Sequence, residues 1–171
     1  MNNIRIGIGE WCLPVYGPYA CSLVPSMGLD GVQLEMSGHE KGYPLSRDIV
    51  QRGYLEVKEK FGIEYPSVAM RETDFVSMLK PKGSRERDVI DQGLRAAVDA
   101  AEALGSPSVM VSSFVESEIR SDEDVSAAVE LFRELCDYAK PKGVNITTEH
   151  LFSAEEMWDF YKAVDRDNLS L

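Results

Sequence analysis

Four side chains that could carry chemistry come directly after predicted strands. Glu35 and Glu149 each end a strand, Trp11 follows the first strand, and His39 lies in the loop after the second. A carboxylate or an imidazole can hold or move a proton on a ligand, and an indole offers an apolar face. Each side chain also has an ordinary structural interpretation. Glu35 could pair with Arg5, Glu149 and His39 could be solvated, and Trp11 could pack in the core or at the rim.

Two further residues near these positions are weaker candidates. His150 directly follows Glu149, and side chains alternate along a strand, so we expect it to face away from Glu149 and not to share a ligand with it. Arg71 lies in the loop after the third predicted strand, where it could meet a phosphate group. A single arginine does not by itself define a phosphate site.

The elements that would position these residues alternate regularly. Short apolar runs predict six strands, and amphipathic stretches between them predict helices. The predicted strands are residues 4–8, 31–35, 64–68, 108–112, 144–149 and 168–171. The residues expected to cap helices are Ser46, Ser84, Ser121 and Ser153. Alternation of strands with helices predicts βαβ units and a parallel sheet.

The faces of the strands favour a barrel over an open sheet. In the fifth predicted strand, Val144 and Ile146 share one face. Asn145, Thr147 and Glu149 share the other. A sheet covered by helices on both sides should be apolar on both faces. One apolar and one polar face instead predicts outer helices around a solvated axis, as in a (β/α)8 barrel. A doubly wound sheet is the alternative, but the glycine-rich stretch after the first strand lacks the third glycine of a dinucleotide-binding loop.

The length accounts for only part of a barrel. A complete (β/α)8 barrel takes about 250 residues, whereas this sequence has 171. Five βα units and the opening of a sixth strand are present, so we expect residues 1–171 to be the N-terminal portion of one barrel domain. The first and last strands would expose unpaired edges, which favours self-association into a homo-oligomer.

Composition excludes several kinds of partner. The formal charge is −11, from 18 basic and 29 acidic residues, which disfavours nucleic acid and anionic membrane surfaces. No apolar run approaches the ~18 residues of a spanning helix, and the N-terminus does not resemble a signal peptide. Three irregularly spaced cysteines predict neither a disulfide framework nor a zinc knuckle. We therefore expect a cytoplasmic protein.

Several short motifs together resemble a known family. They are IRIGIG at residues 4–9, GLDGVQLE at 28–35, VDAAEALG at 98–105, SVMV at 108–111 and VNITTEH at 144–150. These stretches resemble the sugar phosphate isomerases and epimerases of the xylose-isomerase-like TIM-barrel superfamily. The motif at 28–35 is similar to the family's GxDGVEL strand, except that Gln33 replaces the usual glutamate. The motif at 144–150 is similar to the family's fifth strand, which ends in a glutamate. The resemblance covers essentially the whole chain.

The resemblance implies a metal-dependent isomerase or epimerase of a small sugar or sugar-like substrate, acting by proton transfer next to a carbonyl. The family's divalent metal (Mn²⁺, Mg²⁺, Co²⁺ or Zn²⁺) is held by a Glu, an Asp, a His and a Glu on strands five to eight. Glu149 resembles the first of these ligands and the catalytic carboxylate, while the other three positions lie beyond Leu171. Glu35, Trp11 and His39 are then the expected substrate contacts. The chain alone is expected to bind no metal and to be inactive.

Two other functions remain open. The first is a non-catalytic or ligand-binding barrel fragment that is stabilised by self-association. The second is a metal-dependent endonuclease or dehydratase on the same fold. The acidic charge disfavours the endonuclease, because binding to nucleic acid needs basic contacts to phosphates.

Overall fold

The computed structural model describes residues 4–170 as six parallel strands with helices between them. The strands are β1 (Gly7–Gly9), β2 (Gly31–Glu35), β3 (Val68–Met70), β4 (Ser108–Ser112), β5 (Asn145–Glu149) and β6 (Leu169–Ser170). They lie side by side in sequence order, and each neighbouring pair is parallel. A doubly wound sheet would reverse its strand order at a switch point. The sequential order is that of a barrel wall, and the predicted (β/α)8 architecture is confirmed as a truncated barrel.

Within residues 4–170, five α-helices connect the strands, together with short 3₁₀ turns. They are α1 (Pro18–Cys21), α2 (Asp48–Phe61), α3 (Arg85–Leu104), α4 (Asp122–Ala139) and α5 (Ala154–Val164). Three of the predicted N-caps are confirmed, because their hydroxyl oxygens accept a backbone N–H of the first turn. These are Ser84, Ser121 and Ser153. The fourth prediction, Ser46, is wrong: α2 begins after Arg47, and the Ser46 hydroxyl donates to the Tyr43 carbonyl at 2.7 Å.

Two strands lie further along the chain than the apolar pattern predicts. β1 covers Gly7–Gly9 instead of residues 4–8, and the Ile6 N–H bonds to the Asp30 carboxylate at 2.8 Å instead of to a strand. β3 covers Val68–Met70 instead of residues 64–68, where Glu64 makes only an isolated bridge to Gly31. Pro66 follows that bridge and has no N–H to donate, so the regular ladder starts beyond it. Leu171, at the end of the sixth predicted strand, lies outside the described residues.

The two faces of the sheet differ as predicted. The outward-facing side chains pack against the helices and are fully buried; they include Val32, Leu34, Val109, Val111 and Ile146. Toward the axis, Asn145 and Glu149 are exposed and Thr147 is half-buried. Helices therefore cover one face only, and the inner face keeps its polar side chains accessible.

The sheet is open within the described residues. β1 pairs with β2 alone and β6 with β5 alone, so both ends present an unpaired edge. The predicted self-association stays a prediction. Among residues 4–170, no helix combines the length and the apolar character that crossing a bilayer requires.

Candidate functional site

The C-terminal ends of β1 to β3 open onto two neighbouring clefts. The polar cleft, of about 430 Å³, is lined by His39, Arg71 and Glu72 among others. The apolar cleft, of about 420 Å³, is lined mainly by the loop after β1, the loop before α2 and α2 itself. Glu35 borders both clefts. Since ligands bind at the C-terminal ends of strands in barrels, this mouth is the candidate site.

Glu149 ends β5 on the inner face, where it lies opposite Ser112 of β4. Its side chain is exposed. Across residues 4–170, no group of three or more His, Cys, Asp or Glu side chains converges as a metal site. A divalent cation needs several convergent oxygen or nitrogen ligands. The described chain therefore supplies one candidate ligand at this position and does not by itself fit a metal ion.

His150 faces away from Glu149, as predicted. Its ring is buried on the outer side of β5, where Nδ1 lies 2.5 Å from the Ser113 hydroxyl and Nε2 2.5 Å from the Thr148 hydroxyl. The ring also packs against three phenylalanines, at 132, 152 and 160. Burial lowers the pKa of His150 to about 4, so the ring is neutral at physiological pH. Both ring nitrogens are engaged in holding the end of β5.

Trp11 folds back over the first strand. A Cβ atom on Gly9 would lie 2.7 Å from the indole ring, so only a glycine leaves room for it there. The Arg71 guanidinium, which follows β3, lies 5.2 Å from the centre of the ring. Such a cation–π contact joins the mouth at β1 to the mouth at β3. Trp11 is half-buried, so it is a rim residue and not a core residue.

A polar line continues from Arg71 toward β5. The Arg71 guanidinium lies 3.8 Å from the Asp74 carboxylate, which in turn accepts a hydrogen bond from the Ser112 hydroxyl at 3.3 Å. Ser112 is the residue opposite Glu149 in the β4–β5 ladder. The side chains from Trp11 to Ser112 thus span the mouth from β1 to β4.

Glu10 is buried directly after β1, although no functional role was predicted for it. Its carboxylate accepts hydrogen bonds from the N–H of Gly17 (3.1 Å), the N–H of Glu35 (2.9 Å) and the hydroxyl of Tyr54 (2.5 Å). Burial, and then the nearby Glu10 carboxylate, raise the pKa of the Tyr54 phenol and that of the Cys21 thiol, the latter to about 12. Glu10 therefore fixes the loop after β1, the end of β2 and helix α2 to one another.

Glu72 plays the corresponding part after β3. It is buried, and its carboxylate accepts the backbone N–H of His39 at 2.9 and 3.1 Å from its two oxygens. The same carboxylate also bonds to His39 Nδ1. His39 is thereby held at the polar cleft, where its side chain keeps about 37% of its surface exposed.

The structure brings some of the predicted site residues together and leaves one apart. Glu35 and His39 line the polar cleft. Trp11 contacts Arg71, which also lines that cleft. Glu149 lies three strands further along the sheet from β2. The alternative interpretation of Glu35 as a partner of Arg5 is wrong, because Arg5 instead lies 3.9 Å from Glu64.

The contributions of Glu10, Glu72 and Asp74 were missed. A signal for them exists in the sequence, since each is an acidic residue within four positions of the end of an apolar strand. Their partners are distant in sequence: Tyr54 is 44 residues from Glu10, and His39 is 33 residues from Glu72. Only the folded sheet brings these pairs together.

The chain is similar in sequence and in fold to known proteins. A model of the family described as xylose isomerase-like TIM barrel matches residues 21–171. The chain is 23% identical to the 2-epi-5-epi-valiolone 7-phosphate 2-epimerase of Actinoplanes sp. over 147 residues. That match covers 86% of this chain and 53% of the epimerase, so the chain spans about half the length of this curated relative.

Solved structures agree on the fold. The D-psicose 3-epimerase of Clostridium cellulolyticum H10, crystallised with D-tagatose, superposes with a TM-score of 0.77 at 18% identity. It covers 98% of this chain, which covers 62% of that protein. A xylose isomerase-like TIM barrel protein of Mycobacterium smegmatis, in complex with magnesium, gives a TM-score of 0.73 at 17% identity, with 98% and 63% coverage. At these identities the likeness establishes the shared fold.

Proposed function

Because this chain belongs to the xylose isomerase-like TIM barrel family, we propose that it is the N-terminal portion of a sugar isomerase or epimerase. The substrate is a small sugar or a sugar-like molecule, and the reaction is a proton transfer next to a carbonyl group. The complete single-domain barrel depends on a divalent metal. The similar proteins include two sugar or sugar-like epimerases and a protein in complex with magnesium, which supports this choice.

The observation that carries the proposal is the position of Glu149. Its carboxylate ends β5 on the open inner face, at the C-terminal side of the sheet. Barrel enzymes place their catalytic groups on that side. An exposed carboxylate there can take up or release a proton at a bound substrate, and it can also contribute oxygen ligands to a metal. We therefore assign Glu149 the catalytic and metal-binding roles.

Glu35, His39 and Trp11 are the proposed substrate contacts. Glu35 and His39 border the polar cleft, and both are anchored through their backbone N–H groups by buried carboxylates. The half-buried indole of Trp11 adds an apolar surface beside Arg71. Carboxylate, imidazole and indole groups together suit a ligand that has hydroxyl groups on an apolar ring.

The 171-residue chain by itself is proposed to be inactive. Glu149 is one candidate ligand, whereas a divalent metal needs several. The chain covers 53% of the curated relative and 62% of the D-psicose 3-epimerase. The missing ligands are accordingly expected from strands that complete the barrel.

A second candidate function is a ligand-binding barrel fragment that is stabilised by self-association. The two unpaired sheet edges within residues 4–170 favour it, because parallel strands can add to such edges. The mouth at β1 to β3 would then bind a ligand without turning it over.

The test compares two lengths of the protein. The encoding reading frame is followed past residue 171, and the longer product and the 171-residue chain are assayed with Mn²⁺ on ketohexoses and their phosphates. We expect epimerisation by the longer form only. In that form Glu149→Gln should lower kcat at least ~100-fold, since it removes the proposed proton-transfer group. Glu116→Gln is the matched control, because Glu116 is an exposed glutamate in the loop after β4.

Two outcomes would contradict the proposal. Full activity of the Glu149→Gln variant would remove the residue on which it rests. A reading frame that stops at residue 171, with sedimentation showing a stable oligomer and no turnover, would establish the second candidate instead.

A further inference from the structure

The contact between Glu72 and His39 determines more than the position of a loop. Glu72 is buried, with 6% of its surface exposed, and three of its hydrogen bonds go to one residue, His39. Two of them are the contacts to the backbone N–H, at 2.9 and 3.1 Å. A Cβ atom on Gly38 would lie 3.2 Å from the same carboxylate, so a glycine at that position lets the carboxylate approach the loop. Both the main chain and the ring of His39 are therefore fixed from one side.

The chemistry of the pair determines where the imidazole carries its proton. An ionised carboxylate only accepts hydrogen bonds, so Nδ1 must be the donor in its contact with Glu72. In a neutral imidazole with the proton on Nδ1, the other nitrogen, Nε2, is an acceptor. Among residues 4–170, Nε2 of His39 has no hydrogen-bonding partner, and the ring borders the polar cleft.

The surroundings of that nitrogen indicate what could bind to it. The polar cleft also contains Glu35, which accepts hydrogen bonds when ionised, and Arg71, which only donates them. A ligand that satisfies Glu35 and Nε2 must offer protons, and one that satisfies Arg71 must offer lone pairs. Hydroxyl groups do both, so a polyhydroxylated molecule matches the cleft.

We propose that Glu72 is a positioning residue that keeps a proton on Nδ1 of His39, so that the neutral form of the ring presents Nε2 as the acceptor for a ligand hydroxyl group. The ligand class rests on the proposed function, whereas the orientation of the ring does not. Glu72 acts through His39, because its own carboxylate is buried and already bonded. His39 thus contributes to substrate binding at the β2–β3 side of the mouth, away from Glu149.

Nuclear magnetic resonance can read the proton position directly. The chain contains two histidines, and the ¹⁵N chemical shifts of each ring distinguish the Nδ1–H from the Nε2–H form. In alkaline buffer, where imidazole rings are neutral, we expect His39 to be mainly Nδ1–H. In Glu72→Gln the ratio of the Nδ1–H to the Nε2–H form should fall at least ~10-fold, because the charge-assisted hydrogen bond is lost.

The control variant is Glu40→Gln, which removes the same charge from an exposed glutamate that lines the same cleft. It should leave the His39 ratio unchanged. The His150 signals serve as an internal reference for folding, since both nitrogens of that ring are bonded elsewhere. A wild-type His39 ring that is mainly Nε2–H would overturn the proposal without the need for any variant. An equal response to the two substitutions would overturn it as well.

The ligand is tested with D-fructose as the probe. Its addition should shift the ¹⁵N resonance of His39 Nε2 in the wild-type chain, and shift it less in Glu72→Gln, while the His150 resonances stay in place. A Nε2 resonance that does not move up to the solubility limit of the sugar would overturn the ligand assignment. The measurement needs no turnover, so a failed epimerase assay with these shifts intact would count against the proposed function alone.

Discussion

The carboxylates at the two ends of the mouth differ in burial and in hydrogen bonding. At β1 to β3, Glu10 and Glu72 are buried, and between them they accept the backbone N–H groups of Gly17, Glu35 and His39. At β5, Glu149 is exposed and does not belong to any cluster of potential metal ligands in the described chain. All three glutamates lie at or just after the end of a strand.

The buried carboxylates at β1 to β3 thus have a structural role, whereas the exposed carboxylate at β5 is free to react. A carboxylate whose lone pairs are filled by backbone N–H groups stabilises the loops around it and has little capacity left for a ligand. A carboxylate that faces an open space keeps that capacity. The β1–β3 end is thus pre-organised by the chain itself, whereas the β5 end offers a group that still needs partners.

Removing one carboxylate from each end of the mouth should have very different effects on stability. Glu10→Leu should lower the free energy of unfolding by roughly 4 kcal/mol, since it leaves two backbone N–H groups and a buried hydroxyl without an acceptor. Glu149→Leu should change it by less than about 0.5 kcal/mol, because the side chain is exposed. Urea unfolding followed by circular dichroism measures both. Equal losses in the two variants would show that the ends are not built differently.

The end of β5 packs against the buried, neutral ring of His150 on its outer side. The free energy of unfolding therefore depends on pH. The pKa of His150 is about 4 in the folded protein and about 6.5 in an unfolded chain, so the unfolded chain binds the proton more tightly. The stabilisation is complete above pH 6.5 and is lost as the pH falls toward 4. At pH 4 the free energy of unfolding should be lower by roughly 3 kcal/mol from this group alone.

Two variants isolate that contribution from the protonation of carboxylates. His150→Gln should remove the corresponding part of the pH dependence between pH 7 and 4, while Asn145→Gln, at an exposed and non-titrating position of the same strand, should retain it. Urea unfolding at several pH values gives the comparison. If both variants showed the wild-type pH dependence, the buried ring would not be the titrating group.

The repeating parts of the fold could be predicted from sequence, because they depend on neighbours in the chain. The alternation of apolar Ile146 with polar Thr147 indicates which face of β5 packs against the helices. Ser84 and Ser121 cap their helices by accepting the N–H of a residue three positions further on. The misplaced third strand has the same local origin, since Pro66 lies inside the predicted strand and has no N–H to donate to a ladder.

The site was less predictable, because its contacts join distant parts of the chain. Glu35 and His39 were recognised as candidates from their positions after β2. What anchors them is a carboxylate 25 residues away for Glu35 and 33 residues away for His39. No periodic pattern records such a pair. The role of Glu149 stays a prediction, since its proposed partners are not among the described residues.

The smallest expected change in stability comes from a substitution on the inner face of β1. It tests whether the β1–β3 end of the mouth is well ordered. Gly9→Ala places a methyl group where the Trp11 ring now lies, 2.7 Å from its atoms, so the ring must move toward solvent. We expect a loss of about 1 kcal/mol in the free energy of unfolding. In a Trp158→Phe background, which leaves Trp11 as the single tryptophan, the fluorescence maximum should shift to the red. The same Gly9→Ala change in a Trp11→Phe background should leave the Trp158 emission unaltered. An unmoved Trp11 spectrum would mean that the ring is not packed against β1, and the β1–β3 end would then be less ordered than its hydrogen bonds imply.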